Sequence, residues 1–339
     1  MAEQFDLVVV GAGPAGLTAA IYVARARLRT IVLDEGMPGG QVKTTHKVSN
    51  YPGFPEDVKG AELAGLFAKQ AERFGARIAR AVEITKMDLA SREKSFVLDE
   101  DEEITGRAVI VATGAKPRAL GLPGEDTFRG RGISYCATCD GAYFEGKDIH
   151  VIGGGNSAVE ESLFLTQFAR SVTIIHQFDE FQAEPATAKE ALENPKIKVM
   201  WSHEPRAFLG EATLQKLRVE NLKTKQTSRV GSPPAPPALR VADHRGRVWE
   251  PSEGSHIIDL DTDGVFVFVG MVPRTELLKG VVPLDRWGCV ETDESMQTSV
   301  PGLFAAGDIR VKRFRQITTA VADGTIAALA AQKYLRETR

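Results

Sequence analysis

The chain has 339 residues and only three cysteines, with no second CxxC and no HxxxH pair. Tetrahedral zinc needs about four ligands, so Cys136 and Cys139 alone do not furnish a metal site and no metal is expected. An excess of one charge is missing too. The net charge is −3, from 42 basic and 45 acidic residues that are interspersed, which leaves no electrostatic footprint for nucleic acid or an anionic membrane. The apolar stretch from Leu7 to Ala24 follows Glu3 and Asp6 and is broken by Gly11, Gly13, Pro14 and Gly16, so it reads as strand, turn and helix and not as a signal or a membrane span. Few cysteines and no targeting segment fit a reducing cytoplasm, where a CxxC is catalytic more often than structural. With 43% apolar residues the chain reads as a soluble globular protein of two or three lobes.

What is present is glycine at two dinucleotide-type turns. Phe5 to Val10 is a strand buried on both faces and runs directly into Gly11-Ala12-Gly13-Pro14-Ala15-Gly16. An Ala-rich helix from Thr18 to Ala26 and a strand from Arg29 to Leu33, closed by Asp34-Glu35, complete a βαβ unit. Gly11 and Gly13 open such a turn to a pyrophosphate, Gly16 lets the helix pack closely, and Glu35 stands where a ribose hydroxyl needs an acceptor. A second unit follows from Lys147 to Ile152 through Gly153-Gly154-Gly155-Asn156-Ser157-Ala158 to a strand from Val172 to Ile175. Its ribose position falls on Gln177, which is neither the acid that suits NAD nor the arginine that suits NADP. These glycines serve either a nucleotide or helix-strand packing.

Between the two turns lies Cys136-Ala137-Thr138-Cys139-Asp140, two thiols at the spacing of an easily opened disulfide with a carboxylate able to carry a proton. Cys289 stands far off and reads as a packing thiol. Elsewhere, a helix is expected from Gly60 to Phe74, a strand-rich excursion near 82–98, and a buried strand from Ala108 to Val111 that ends in Ala112-Thr113-Gly114, either near a cofactor or at an ordinary turn. Strands are also expected at 197–201, 214–220, 257–261 and 264–269. The Pro-rich run 231–239, too dense in proline to pair in a sheet, sits in a surface excursion from about 225 to 256. Gly307-Asp308 ends a short strand at the edge where cofactor hydroxyls collect, unless Asp308 caps a helix. Arg315-Gln316 leads into a last helix that starts at Ile317.

These motifs resemble the low-molecular-weight thioredoxin reductases along nearly the whole chain. The resemblance implies an α/β fold of two Rossmann-like dinucleotide-binding domains, each three-layered (ββα), the second inserted into the first. Residues 1–119 and 262–339 would form the FAD-binding domain, and 120–261 the pyridine-nucleotide-like domain that carries the redox centre. FAD would be held by Gly11, Gly13, Pro14, Ala15, Gly16, Glu35, Gln41, Asn50, Asp308 and Gln316, with Gly40, Thr113, Gly114, Gly307, Arg315 and Ile317 beside them. Cys139 would face the flavin, Cys136 would attack a disulfide of a thioredoxin-like or other dithiol protein, and Asp140 would act as general acid or base. A homodimer is implied. Family members that use NADPH carry a motif like HRRxxFR where this chain has His176-Gln177-Phe178-Asp179-Glu180-Phe181-Gln182, so all three arginines are missing. That departure is similar to ferredoxin-linked or diflavin-linked branches, with a second FAD or another non-NADPH electron partner at the second lobe. The alternatives are an NAD(P)H-dependent thioredoxin reductase and a flavin-binding redox sensor without turnover.

Overall fold

The computed structural model describes residues 2–45, 48–99, 102–223, 241–242, 248–249 and 256–338. The Pro-rich run 231–239 lies outside them. The chain divides into two compact units, Met1–Lys116 with Val272–Arg339, and Pro117–Met271. The second is thus inserted into the first, and its C-terminal limit falls later than the boundary expected at 262. The strand Gly264–Val267 is the reason: it pairs in parallel with Asp148–Ile152 and with Ile133–Ser134, inside the second unit. Among the described residues no helix is long and apolar enough to cross a membrane.

In the first unit a seven-stranded sheet is built on the strand Glu3–Val10, which lies between the parallel strands Thr30–Asp34 and Glu103–Val111. Leu7, Val8 and Val9 are fully buried, as a strand covered on both faces requires. Glu103–Val111 is long enough to take two partners on its edge away from Glu3–Val10: its first half pairs antiparallel with Lys94–Leu98, and its second half pairs in parallel with Leu303–Ala305. The excursion expected near 82–98 is the hairpin Ile84–Asp88 and Lys94–Leu98. Helices Pro14–Arg25, Gly60–Arg73 and Ile317–Glu337 share one apolar cluster with one face of the sheet, and the hairpin and residues 278–290 cover the other face. Helix Pro14–Arg25 and the last helix approach so closely that a Cβ on Gly324 would lie 2.1 Å from the carbonyl oxygen of Ala15.

The second unit carries a five-stranded parallel sheet in the order Ile197–Trp201, Ser171–His176, Asp148–Ile152, Gly264–Val267, Ile133–Ser134. A three-stranded antiparallel sheet of His203–Gly210, Leu214–Asn221 and His256–Asp261 accompanies it. Two interior groups in this unit tilt stability with pH in opposite senses. His150 shares a hydrogen bond of 2.9 Å between Nδ1 and the hydroxyl of Thr262, and burial pushes it down to about 4. The unfolded chain, whose imidazole titrates near 6.5, then takes up the proton first, so stability falls as pH drops from about 6.5 to about 4. Glu161 is pushed up to about 7, first by burial and then by Glu160, and its Oε2 has no hydrogen-bond partner. Its unfolded carboxyl ionises first, so stability falls as pH rises from about 4.5 to about 7. We expect Glu161→Gln to expose the histidine slope, with unfolding easier in acid. His150→Asn should expose the opposite slope. Each is worth up to about 3 kcal/mol, at roughly 1.4 kcal/mol per pH unit, in denaturant titrations run across that range.

Candidate active site

In the first unit the glycine turn is fixed by close contacts. Gly11 takes φ +104°, and a Cβ there would lie 2.4 Å from the carbonyl oxygen of Ala112. A Cβ on Gly16 would lie 1.9 Å from the oxygen of Gly11, so helix and turn require that residue bare. Gly13 differs, because its nearest neighbour is the Gly40 Cα at 3.9 Å. The protein's own packing leaves room there, in front of the first turn of helix Pro14–Arg25, whose N-terminus has no side-chain cap and no acid in its first turn. Unpaired N–H groups and the positive end of a helix are what a phosphate needs.

The turn is held from behind by Asp34, which sequence reasoning passed over in favour of Glu35. Asp34 accepts from the N–H of Ala12 at 2.6 Å and of Gly36 at 2.9 Å. Glu35 is largely exposed and pairs with Arg274. The Gly39-Gly40 turn packs against the first: the N–H of Gly39 donates to Ala12 O at 2.7 Å, and Gln41 follows it, exposed. Asn50 and Gln316, 266 positions apart, meet side chain to side chain at 3.4 Å. The Thr113 hydroxyl donates to Arg274 O at 2.5 Å, and the Arg274 N–H donates to Gly114 O at 2.9 Å. Gly307 packs on Ala15, where a Cβ would come within 2.9 Å of the alanine's own.

Asp308 is not a helix cap, since Gln316 takes the N-cap position of helix Ile317–Glu337. Its Oδ1 is buried with no hydrogen-bond partner while the side chain is 36% exposed. Burial pushes its carboxyl above the usual range, against the pull of Lys312 and Arg315. A buried oxygen without a donor is costly, and a ligand hydroxyl would satisfy it. Arg315 lies with its guanidinium 3.3 Å from the Sγ of Cys289, which is buried and pushed up by that burial.

In the second unit Cys136 and Cys139 form a disulfide. Cys136 occupies the N-cap of the single turn Ala137–Asp140, and its sulfur accepts from the N–H of Cys139 at 3.2 Å. Ser134, buried at the end of its strand, donates to Asp140 Oδ2 at 2.6 Å and accepts from the N–H of Cys136 at 3.1 Å. One hydroxyl thus holds both the carboxylate and the first cysteine. Its signal in the sequence is only a serine two residues before the thiol. Tyr135 donates to the buried Glu125, which also accepts from the N–H groups of Leu120, Gly121 and Leu122. Beside Asp140 and Ser134 opens a cavity of about 730 Å³, lined also by Arg131, Tyr143 and Lys147.

The second glycine turn is crowded by its own chain. A Cβ on Gly153 would lie 2.3 Å from Phe268 O, and one on Gly154 would lie 2.4 Å from the His176 ring. Packing alone therefore demands two of its three glycines. Gln182 donates its N–H to Gly154 O at 2.7 Å, which folds residues 177–182 back over the turn. Gln177 and Gln182 are exposed, and Phe178, 44% exposed, touches His176 with its edge. The Phe181 ring lies tilted against Trp201, with centroids 4.7 Å apart, and packs on the core, so it is not free for a ligand. Asp179 accepts from the Ser202 hydroxyl and pairs with Lys223 at 2.5 Å.

Two dinucleotide-type folds on one chain, the second bearing a CxxC disulfide, define a flavoprotein disulfide oxidoreductase, and the chain belongs to the pyridine nucleotide-disulphide oxidoreductase family, whose model matches residues 5–324. Within that family it is a flavin-dependent enzyme of the low-molecular-weight thioredoxin reductase class. It is 40% identical to a thioredoxin reductase of Peptoclostridium acidaminophilum over 99% of this chain and 98% of that one. It is 44% identical to a 34.2 kDa protein in the rubredoxin operon of Clostridium pasteurianum, over 98% of each. The crystal structure of thioredoxin reductase from Lactococcus lactis superposes with a TM-score of 0.86 at 38% identity, covering 98% of this chain and 99% of that one.

Proposed function

We propose that the enzyme exchanges electrons between FAD in the first unit and the Cys136–Cys139 disulfide, then a partner protein's disulfide, with an electron donor other than NADPH. One observation carries the donor reading. Among the described residues, Lys223, a cation beside the turn at 177–182, is paired with Asp179, and Gln177, Phe178 and Gln182 bring no charge to meet a 2′-phosphate. A small iron-sulfur carrier such as a ferredoxin suits such a protein, and the Clostridium pasteurianum relative is a rubredoxin-operon protein. The second reading is an NAD(P)H-dependent reductase. In its favour, helix Asn156–Leu165 opens at Gly155 with no side-chain cap and no acid in its first turn.

Bound FAD supplies a two-electron exchange with a disulfide. Its pyrophosphate belongs over Gly13, Pro14 and Ala15, and its hydroxyls at Glu35 and Asp308, with Gln41, Asn50 and Gln316 nearby. Once reduced, the Cys136 thiolate attacks a sulfur of the partner's disulfide, forming a mixed disulfide and releasing the partner's other thiolate. Cys139, as thiolate, then attacks Cys136 Sγ, which re-forms the ring and frees the second partner thiolate. Two electrons and two protons pass to the partner, and Asp140, steadied by Ser134, moves a proton at the sulfurs. The cavity beside Asp140 offers the partner a seat. Exposed Ile326 and Leu329, three apart on the last helix, suit a homodimer interface, and a reducing cytoplasm suits the dithiol.

Gly13→Ala should fold as well as the wild type, within about 0.5 kcal/mol, yet raise the FAD dissociation constant by about tenfold or more, because the new methyl makes only an ordinary contact with Gly40 and otherwise fills the ligand's space. Unchanged FAD affinity would displace FAD from this turn. Stopped-flow mixing tests the donor: micromolar NADPH should leave the flavin oxidised while reduced ferredoxin bleaches it. Flavin released by heat and counted per chain separates one bound FAD from two.

A further inference from the structure

Behind Asp308 lies a buried ionic cluster that neither the glycine turn nor the dithiol uses. Asp323, in the last helix and 6% exposed, accepts from Lys312 Nζ at 2.9 Å, from the N–H of Gly307 at 3.1 Å, and from Arg310 Nη1 at 3.3 Å. Lys312, with its side chain 8% exposed, also stands 4.0 Å from Asp308 Oδ1, the oxygen without a hydrogen-bond partner. Arg310 is steadied in turn by the Thr292 hydroxyl at 3.0 Å. Two carboxylates and two cations therefore balance between positions 308 and 323, all in the first unit. Such a cluster is expensive to bury and is often no more stabilising than apolar packing, so stability alone is a weak reason for it. Its layout suggests another. Asp323 holds Gly307, the residue immediately before Asp308, by its backbone, and holds Lys312, the cation nearest Asp308, by its charge.

We propose that Asp323 and Lys312 are positioning residues of the FAD site, Lys312 by favouring the carboxylate form of Asp308 and Asp323 by anchoring Gly307 and Lys312, so that Asp308 is aimed to accept hydrogen bonds from the hydroxyls of the flavin's sugar-alcohol chain. The inference rests on placing those hydroxyls at Asp308. Without Lys312, Arg310 would stay on Asp323, and Arg315, which donates to the backbone carbonyl of Asp308 at 3.4 Å, would be the cation left acting on Asp308. Burial already raises the carboxyl of Asp308, and loss of the lysine removes the largest of the influences that lower it. Protonation would then begin at higher pH, and a protonated carboxyl has one acceptor fewer for the ligand.

The test is titration of apoprotein with FAD from about pH 5 to about pH 8, followed by quenching of flavin fluorescence, in the wild type and in Asp308→Ala, Lys312→Met, Lys312→Arg and Asp323→Asn. We expect Lys312→Met and Asp323→Asn to raise the dissociation constant by about tenfold, as a lost buried charged hydrogen bond does, with the weakening in acid starting at higher pH than in the wild type only in Lys312→Met, because Asp323 is a like charge whose removal lowers the Asp308 carboxyl. Lys312→Arg should restore the wild-type pH profile. Wild-type affinity and profile in Lys312→Met and Asp323→Asn, alongside weakened binding in Asp308→Ala, would make the cluster structural only and overturn the inference. Wild-type binding in Asp308→Ala would instead overturn the placement of FAD at that carboxylate. Should Lys312→Met fail to fold, Lys312→Arg decides in combination with Asp323→Asn: an arginine that keeps the affinity beside an asparagine that loses it supports the assignment, and equal affinity in both rejects it.

Discussion

Cys136→Ser enzyme whose flavin has been reduced photochemically should deliver no electrons to an oxidised thioredoxin-type protein, with turnover down by about 10⁴-fold or more, as when the nucleophile of a concerted unit is removed. Cys139→Ser should be as inactive but for a different reason. Its remaining thiol at Cys136 can still attack the partner's disulfide, but nothing resolves the product. A covalent adduct with the partner should therefore accumulate in Cys139→Ser and be absent from Cys136→Ser, visible on a non-reducing gel and lost on adding dithiothreitol. The geometry favours this order. Cys136 Sγ accepts from the N–H of Cys139, so a thiolate there starts with one stabilising hydrogen bond, and Ser134 fixes the backbone that carries it. The reverse trapping pattern would exchange the roles of the two cysteines. Activity in either single serine variant would end the dithiol reading.

Much of the fold was legible because each βαβ unit declares itself locally: a buried strand, a glycine turn, an Ala-rich helix and a second strand in immediate succession. The limit was reached where the partner of a segment is distant in sequence. Gly264–Val267 is visibly a buried strand, but nothing in its four residues says that it pairs with Asp148–Ile152 and not with Glu3–Val10. The strand His203–Gly210 went unseen, since Pro205 and Arg206 spoil its alternation and its register shifts between Pro205 and Ala207. The candidate site divides in the same way. Glycines, the CxxC and Asp308 announce their chemistry by type and spacing. Asp34, Ser134, Glu125, Lys312 and Asp323 act by holding those residues, through contacts that only folding creates. Asp34 and Ser134 were beside motifs already singled out, where a strand-ending acid and a hydroxyl two residues before a thiol are weak signals.

Gln177→Arg combined with Gln182→Arg should turn a poor NADPH site into a usable one, if the second glycine turn takes a nucleotide at all. Both positions are exposed, so the substitutions should cost the fold no more than about 0.5 kcal/mol. Each guanidinium can offer charge-assisted, bidentate hydrogen bonds to a phosphate, and the pair should lower the KM for NADPH by about 10- to 100-fold while leaving that for NADH nearly unchanged. Asp179 opposes the gain only partly, because Lys223 and Ser202 already engage its carboxylate, and those partners hold it below the usual range. Flavin reduction by each nucleotide, followed at several concentrations in the variant and the wild type, separates the possibilities. A selective gain for NADPH means that the turn retains a nucleotide seat and lacks only its clamp. No gain for either nucleotide means that Gly153 and Gly154 persist for the packing seen against Phe268 and His176, with electrons entering by another route. Rapid flavin reduction by NADPH in the unmodified enzyme would sink the donor reading outright, because recognition would then have to come from residues other than the three positions at which the arginines are missing.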